Sequence, residues 1–306
     1  MSIRIGINPL TWTNDDLPAL GDDISLETCL TEAAAAGYAG VELGRKFPRK
    51  AGALAQVLSR HNLALVSGWY SLRLLERDAD AEFAAMQPHF ELLEALDCSV
   101  MVCAEVTGAV HSGMNARLSC RPQLSSSAWV QFTARLSELA DRMRDNGMRL
   151  AYHHHMGTVI QTEEEVDALL KACDPAVELL LDTGHLTFAG GDPVRAVKNH
   201  AARMAHLHCK DIRPAVLRRC LNADTSFLEA VLQGVFTVPG DGCIDYAAVL
   251  GPLLERGYDG WIVVEAEQDP AVADPVTYAN LGFHTLAALT KSHCCGAIDD
   301  VAVRKP

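Results

Sequence analysis

The sequence contains no apolar run long enough to cross a lipid bilayer, and its first residues, Met1–Asn8, show no secretory leader. It also has fewer positively than negatively charged residues: 26 lysines and arginines and 39 aspartates and glutamates give a formal net charge of -13. Such an acidic surface, without a stripe of lysine and arginine, repels phosphate backbones and anionic membranes. We therefore expect a cytoplasmic protein that binds neither nucleic acid nor membranes.

Two further signatures are missing. The 10 cysteines do not form the spaced framework of a disulfide-rich fold, and we expect them to be reduced thiols. No Gly-x-Gly-x-x-Gly follows the first strand-like segment, so the usual dinucleotide fingerprint of an open parallel sheet is lacking. The composition, with 49% hydrophobic and 21% charged residues, is that of a globular protein with a large core.

A short apolar segment followed by a helical one recurs eight times along the chain. The predicted strands are Ile3–Asn8, Gly40–Leu43, Leu63–Ser67, Ser99–Glu105, Met148–His153, Val177–Asp182, Arg203–His208 and Trp261–Glu265. The predicted helices are Leu26–Ala36, Ala51–His61, Asp80–Leu96, Ser127–Asn146, Glu163–Ala172, Val194–His200, Tyr246–Arg256 and Val276–Leu289. Apolar strands joined by helical crossovers form a parallel sheet covered on both faces, and eight such units favour a closed α/β (β/α)₈ TIM barrel.

The chain shows no linker, so we expect one barrel domain over residues 1–290 and a C-terminal tail over 291–306. The segment Thr107–Leu124 has no clear period and contains several glycine, serine and proline residues. Long loops after barrel strands commonly cover or form the binding site, and we predict that role for this segment.

Histidine and carboxylate residues end the last four predicted strands. The groups are Tyr152-His153-His154-His155, Asp182-Thr183-Gly184-His185, His206-Leu207-His208-Cys209-Lys210-Asp211 and Glu265-Ala266-Glu267. Residues two apart on a strand share a face, so His153 lies with His155 and Glu265 lies with Glu267. A single histidine of this kind is more often structural, but burying several such groups together without a counter-charge is costly. Together they predict a divalent cation of the manganese, cobalt, iron or zinc type.

This series of strand ends resembles the xylose isomerase-like family of sugar isomerase and epimerase barrels. That family binds a divalent metal with Glu, Asp, His and Glu, and the resemblance implies Asp182, His208 and Glu265 as three ligands, with manganese or cobalt as the expected metal. The first Glu aligns with His153, which departs from the pattern. Either His153 replaces the carboxylate, His155 supplies the contact, or the site has three protein ligands.

Longer segments resemble the inosose dehydratases within this family. They are residues 6–16, 152–158, 236–245 and 265–270. The resemblance implies that 2-keto-myo-inositol, a polyol ketone, loses water to give a trihydroxycyclohexane-1,2-dione in inositol catabolism, by a chain that can be a homo-oligomer. In this reaction a base removes the proton beside the ketone, and an acid assists departure of the β-hydroxyl.

Four side chains are candidates for the chemistry. Glu265 and one of His153 or His155 are candidates for combined ligand and base. His185 is a candidate for the acid or for orienting the substrate, and Lys210 for holding negative charge, unless Lys210 simply pairs with Asp211. We expect Glu267 to be a hydrogen-bond partner of a metal-binding histidine or to contact the substrate.

The first half of the chain offers five weaker candidates for substrate binding. They follow or end the predicted strands and are Trp12, Glu42, Lys46, Trp69 and Glu105. An indole can cover the C–H face of a cyclic polyol, and charged groups can bind its hydroxyls. Each tryptophan can equally be a packing residue.

Four other activities compete with dehydration. Epimerisation of a keto-inositol or isomerisation of a ketose needs the same metal and base and differs only in where the proton returns. Dehydroshikimate-type dehydration would give an aromatic product, and metal-dependent nucleic-acid hydrolysis is disfavoured by the net charge of -13. A barrel that binds without turnover is disfavoured by four successive polar strand ends.

Overall fold

The computed structural model describes the backbone of residues 3–299 and the side chains of residues 3–291. Its strands are β1 Arg4–Ile7, β2 Gly40–Leu43, β3 Ala64–Leu72, β4 Val100–Glu105, β5 Arg149–His153, β6 Val177–Asp182, β7 Met204–Cys209, β8 Asp211–Ile212, β9 Phe236–Thr237 and β10 Trp261–Val264. The strands β1 to β7 and β10 pair in parallel and close a barrel, with β10 between β1 and β7. The predicted eight-stranded barrel is confirmed, and most predicted strand ends lie within one residue of the observed ones.

Eleven α-helices occur among the described residues. They are α1 Leu26–Ala36, α2 Ala51–Arg60, α3 Ala79–Glu94, α4 Ser126–Asp145, α5 Glu163–Ala172, α6 Thr183–Phe188, α7 Pro193–His200, α8 Pro214–Ala223, α9 Phe227–Leu232, α10 Tyr246–Glu255 and α11 Pro275–Asp299. Short polar side chains cap the helices: Ser25 accepts a hydrogen bond from the third residue of α1, and Thr162 forms a capping box with Glu165 on α5. Eight of the eleven helices were predicted from their apolar spacing.

The last helix is longer than predicted. The sequence pattern ends it at Leu289, whereas α11 continues to Asp299 and so includes much of the segment 291–306 that was expected to be a tail. Residues 300–306 lie outside the described residues, as do residues 1 and 2. Among the described residues no helix is both long enough and apolar enough to cross a membrane.

Apolar side chains fill two regions of the barrel. The large core lies between the strands and the surrounding helices, and a smaller set lies inside the barrel: Val66, Val100, Val102, Ala151, Leu180, Ala205, Trp261 and Val263. Gly40 admits the indole of Trp261, because a Cβ there would lie 2.8 Å from Cη2 of that ring. Apolar side chains thus fill the interior of the barrel, and its polar residues collect at the carboxyl ends of the strands.

A segment between β7 and α10 forms a compact insertion that the sequence pattern did not predict. It contains β8 and β9, which pair in antiparallel fashion, and the helices α8 and α9. Its own apolar cluster includes Phe227 and Phe236 and extends to Leu118 in the loop 107–124 and to Met156 after β5. The insertion therefore packs against the loop 107–124 and the segment after β5, at the carboxyl ends of the barrel strands.

Eight cysteines are free thiols in the part of the chain whose side chains are described: Cys29, Cys98, Cys103, Cys120, Cys173, Cys209, Cys220 and Cys243. This agrees with the expectation of reduced cysteines for those eight residues. The adjacent pair Cys294–Cys295 lies outside the described side chains.

Candidate metal centre and active site

The four polar strand ends meet at one point. Donor atoms of His153, Asp182, His208 and Glu265 all lie within 4.8 Å of one another, and all four side chains are buried. Oδ2 of Asp182 lies 3.8 Å from Nε2 of His153 and 3.6 Å from Nδ1 of His208. The closed barrel thus brings together residues that are up to 112 positions apart in the chain, and it does so at the carboxyl ends of β5, β6, β7 and β10.

The hydrogen bonds of the two histidines leave one nitrogen of each free for a cation. Nδ1 of His153 lies 2.7 Å from the carbonyl oxygen of His154, and Nε2 of His208 lies 3.1 Å from the carboxylate of Glu42. Because these oxygens only accept, each of those nitrogens carries the hydrogen. Nε2 of His153 and Nδ1 of His208 therefore present lone pairs towards Asp182 and Glu265, as metal ligands require.

Unsatisfied buried atoms indicate that this donor set fits a cation. Oδ2 of Asp182 is buried and forms no hydrogen bond with any described residue, and Nδ1 of His208 is buried 3.0 Å from Oε2 of Glu265 without forming a hydrogen bond to it. Leaving such atoms unpaired is costly, and a cation between them would satisfy both. Two imidazoles and two carboxylates can hold a divalent ion of the first transition series.

Of the two histidines that sequence reasoning left open, His153 lies in this four-residue group. His155 lies instead in a neighbouring group with His185 and Glu267. Nδ1 of His155 is 2.8 Å from the carbonyl oxygen of Met156, so its Nε2 also presents a lone pair. His155 is therefore free to accept a proton without being a ligand.

A carboxylate from the other side of the barrel lies behind the histidine ligand candidate. Oε1 of Glu42 accepts from His206 at 2.9 Å and from His208 at 3.1 Å. Nδ2 of Asn8 bridges Glu42 at 2.6 Å and Glu265 at 2.8 Å. Burial alone would raise the pKa of Glu42, but His208 and His206 lower it to about 2. The sequence indicated Glu42 only as a weaker candidate for substrate binding and assigned no role to Asn8, although both lie at the carboxyl ends of barrel strands.

The ammonium group of Lys210 is the cation closest to the cluster. Lys210 is 0% exposed, and its Nζ lies 2.7 Å from Glu265, 2.7 Å from Glu267 and 3.6 Å from Asp182. Burial alone would lower the pKa of Lys210, but these three carboxylates raise it well above its usual value. Burial raises the pKa of Glu267 to about 7 in spite of the lysine.

The alternative pairing of Lys210 with Asp211 is wrong. Oδ1 of Asp211 accepts the backbone N–H groups of Ile212, Cys243 and Ile244 at 2.8 to 3.0 Å and so holds the insertion in place. The two side chains point to opposite sides because neighbouring residues in extended backbone alternate.

His185 does not reach the substrate cavity, contrary to its predicted role as acid. It is fully buried, and its ring is stacked on Phe227 with centroids 5.6 Å apart. Nε2 of His185 lies 3.0 Å from Nζ of Lys210, and its Nδ1 lies 3.3 Å from the backbone nitrogen of Met156. Both neighbours are donors and a neutral imidazole has one lone pair, so the shorter contact makes Nε2 the acceptor, from the ammonium of Lys210. His185 therefore positions Lys210 from behind, because the Asp-Thr-Gly-His segment begins helix α6 instead of entering the cavity.

A cavity of about 300 Å³ opens over the four-residue cluster. This volume is at the lower end of the range for ligand pockets and suits a small molecule. Predicted residues at its wall are Glu42, Trp69, His153, His155, His208, Glu265 and Glu267, and His111 comes from the loop 107–124 that was predicted to cover or form the site. Residues of the wall that sequence reasoning missed are Asn8, Leu10, Asp15, Asp16, Leu43, Arg49, Ser71 and Val102.

Trp69 contributes the edge of its indole to this wall. The indole is 36% exposed and contacts the rings of His153 and His155 with centroids 5.4 and 5.5 Å away. Its Nε1 donates to Ser71, which fixes the ring. The placement fits the predicted packing of an indole beside a cyclic ligand.

Three residues predicted to bind substrate lie elsewhere. Trp12 is 0% exposed in the core, and Nζ of Lys46 donates to three carbonyl groups of the loop 21–24 at 2.5 to 2.9 Å. Glu105 accepts the backbone N–H of Leu74 at 2.6 Å. None of the three lines the cavity, and each instead stabilises a loop or the core.

Comparisons with known proteins agree with this fold and show the family. A family model described as "Xylose isomerase-like TIM barrel" matches residues 30–286. The chain is 51% identical to the rhizopine catabolism protein MocC of Rhizobium meliloti, over 94% of this chain and 89% of that protein. It is 42% identical to an inosose dehydratase of Geobacillus thermodenitrificans, over 90% of this chain and 94% of that enzyme. A solved structure described as the IOLI protein with a bound zinc atom has a TM-score of 0.68 at 16% identity, covering 95% of this chain and 99% of that one.

Proposed function

Since the chain belongs to the xylose isomerase-like TIM barrel family, we propose that it is a hydro-lyase that removes water from an inosose in inositol catabolism. The observation that carries this proposal is the 42% identity to an inosose dehydratase over 94% of that enzyme's length. The cavity of about 300 Å³ above four metal-ligand candidates supports it, because a six-membered polyol ketone is a small ligand with many hydroxyls. We further propose that the domain extends over residues 1–290 and that the enzyme acts in the cytoplasm.

We propose that His153, Asp182, His208 and Glu265 hold a divalent cation, with manganese or cobalt as the expected ion. A bound cation would polarise the ketone and stabilise the negative charge that develops on its oxygen. Asn8 and Glu42 orient the ligands Glu265 and His208 from behind. Lys210 neutralises part of the surrounding carboxylate charge.

The proton beside the ketone goes to Nε2 of His155 in this proposal. That nitrogen presents a lone pair at the cavity wall, because Nδ1 donates to the carbonyl oxygen of Met156. Glu265 is the weaker base, since Lys210 at 2.7 Å and Asn8 at 2.8 Å already stabilise its charged form. His155 is thus the base and Glu265 a ligand.

The proposal is tested with protein that has been stripped by a chelator and reloaded with Mn²⁺ or Co²⁺. The reloaded protein is incubated with 2-keto-myo-inositol in deuterated water, and both substrate and product are analysed. We expect a trihydroxycyclohexane-1,2-dione from the loaded protein and none from the stripped protein. Deuterium in the recovered substrate without any dione would indicate an epimerase or isomerase instead.

A second candidate is a step of rhizopine catabolism, which is favoured by the 51% identity to MocC. The two candidates are separated by deleting the gene in its host and growing the cells on inositol or on rhizopine. Loss of growth on rhizopine alone would replace the first proposal with the second.

A further inference from the structure

The loop 107–124 brings His111 to the cavity, beside the proposed base and outside the group of four ligand candidates. His111 lines the cavity wall, and its ring centroid lies 5.0 Å from that of His155. Nε2 of His111 lies 3.9 Å from Oδ1 of Asp16, which reaches the same wall from the loop after β1. A histidine and a carboxylate from two separate loops thus meet beside the proposed base.

The backbone of both loops is held in place around this pair. The N–H of Val110 donates to the carbonyl oxygen of Gly157 at 2.9 Å, directly before His111. Gly157 has a φ of +79°, and a Cβ at this residue would lie 2.9 Å from the backbone nitrogen of His111. In the other loop, the side chain of Asn14 accepts the N–H of Leu17 at 2.6 Å and closes the turn that carries Asp16.

His111 also has an unused buried nitrogen. Its Nδ1 is buried and has no hydrogen-bond partner among the described residues, and its side chain is only 12% exposed. Such a nitrogen gains a partner when a ligand with hydroxyl groups fills the cavity. The geometry therefore favours contact between His111 and the substrate.

Other ionisable groups near the cavity already have a partner or another role. His155 presents a lone pair, and Lys210 and His185 do not line the wall. Glu267 lines the wall and burial raises its pKa to about 7, but its carboxylate accepts from the ammonium of Lys210 at 2.7 Å. His111 is the histidine of this wall that lies beside a free carboxylate, which stabilises its protonated form.

We infer that His111, paired with Asp16, is the acid that protonates the departing β-hydroxyl group. This inference rests on the proposed dehydration. His155 first takes the proton from the carbon beside the ketone, and the electron pair of that C–H bond is delocalised onto the ketone oxygen as an enolate. In a second step this electron pair forms the carbon–carbon double bond to the β-carbon, and the C–O bond there breaks with its electrons going to oxygen, which takes the proton of His111 and leaves as water. The resulting enol then becomes the dione.

Burial raises the pKa of Asp16 and lowers that of His111, so the two values approach each other. The pair can then share one proton. A catalytic acid needs this property, because it must release its proton and regain it in each turnover. The pairing also gives Asp16 a positioning role, because it orients the imidazole without contacting the leaving group.

The test separates proton removal from loss of water. His111→Gln is incubated with 2-keto-myo-inositol in deuterated water, and deuterium in recovered substrate is measured beside dione formation. Since general acid catalysis contributes about 10²–10⁴-fold, we expect dione formation to fall by about 100-fold or more while deuterium exchange and bound metal stay unchanged. His61→Gln is the matched control, because His61 lies at the end of α2 beside Glu27, and it should change neither quantity.

Two further measurements keep the test decisive. A substrate whose β-hydroxyl is replaced by fluoride should lose fluoride almost equally fast with His111→Gln and with the parent, since fluoride departs without a proton. Asp16→Asn should lower dione formation by about tenfold and leave metal content unchanged. A merely structural role for His111 would slow both substrates equally.

The outcomes also distinguish this inference from the proposed function. If the parent protein forms no dione from inosose, the dehydratase proposal fails and this inference fails with it. If the parent is active and His111→Gln loses exchange and dione formation equally, or keeps both, only the role of His111 is overturned.

Discussion

Nε2 of His208 lies 3.1 Å from Oε1 of Glu42, a residue 166 positions earlier in the chain. The pairing places a carboxylate behind a candidate metal ligand, where it holds one tautomer of the imidazole and makes the other nitrogen a better ligand. It also links β2 to β7 across the barrel and, through Asn8, to Glu265. The metal centre therefore depends on residues from both halves of the barrel.

Removing the charge of Glu42 should weaken metal binding. Partners of this kind typically contribute 10–100-fold, so Glu42→Gln should raise the dissociation constant for Mn²⁺ by about 10–100-fold, measured by calorimetry on chelator-treated protein. Glu105→Gln is the control, because Glu105 is also buried at the end of a barrel strand but lies away from the cavity. Equal affinity of Glu42→Gln and the parent would contradict the assigned role.

Asp182 is expected to have two separable roles. Its Oδ2 faces the other three ligand candidates, and its Oδ1 caps helix α6 by accepting the N–H of His185 at 2.7 Å. Asp182→Ala should lose both the metal and the cap, and the lost cap costs about 0.5–2 kcal/mol of stability. Asp182→Asn keeps a capping oxygen and should lose metal affinity with a smaller loss of stability. A full equivalent of metal bound to both variants, by elemental analysis, would rule out Asp182 as a ligand.

Lys210→Met should destabilise the metal-free protein strongly. The change leaves Asp182, Glu265 and Glu267 without their buried counter-charge, and breaking such a buried arrangement costs about 3–5 kcal/mol. Adding Glu267→Gln should recover part of this loss in urea denaturation. Lys46→Met is the control, because Lys46 binds only loop carbonyls. Adding Glu267→Gln to Lys46→Met should recover no stability. An equal gain in both backgrounds would show that Glu267→Gln stabilises the protein without relieving a contact to Lys210.

His153→Glu tests whether the charge of the site selects elimination. The family resemblance implies a carboxylate at this position, and a neutral imidazole leaves the site one charge more positive, which favours departure of a hydroxide-like group. We expect the variant to bind metal, to exchange deuterium into recovered inosose and to form less dione. Unchanged dione formation, or complete loss of metal, would refute the charge argument.

Gly157 and Gly147 form a matched pair for the loop that carries His111. Both have a positive φ, +79° and +87°, but a Cβ at Gly147 would meet nothing within 4 Å, whereas one at Gly157 would lie 2.9 Å from the nitrogen of His111. Alanine at either position should cost about 1 kcal/mol through backbone strain. Only Gly157→Ala should also slow dione formation, because it displaces His111. Equal effects of the two variants on turnover would mean that the contact does not position this histidine.

Much of the barrel was predictable because its strands and helices have regular periods. Apolar runs and helical spacing located all eight barrel strands and eight helices. The helices α6 and α9 were missed because each has only six residues, too few to establish a helical period. Helix α8 has ten residues but lies in the insertion between β7 and α10, outside the repeat of strand and helix. Alternation along β4 also contains a signal that was overlooked: Val100 and Val102 face the barrel interior, so Glu105, an odd number of positions away, faces outward.

The sequence by itself determined the class of fold and the end of the barrel at which polar groups collect, and the family resemblance implied three of the four residues proposed as ligands, Asp182, His208 and Glu265. It could do so because the carboxyl ends of parallel strands meet at one rim whatever the detailed packing. Only the tertiary structure decided that Glu42 lies behind His208, that Lys46 binds loop carbonyls, and that His111 meets Asp16. Loop backbones have no period, and the direction of a loop side chain depends on hydrogen bonds and glycine conformations formed with residues far along the chain.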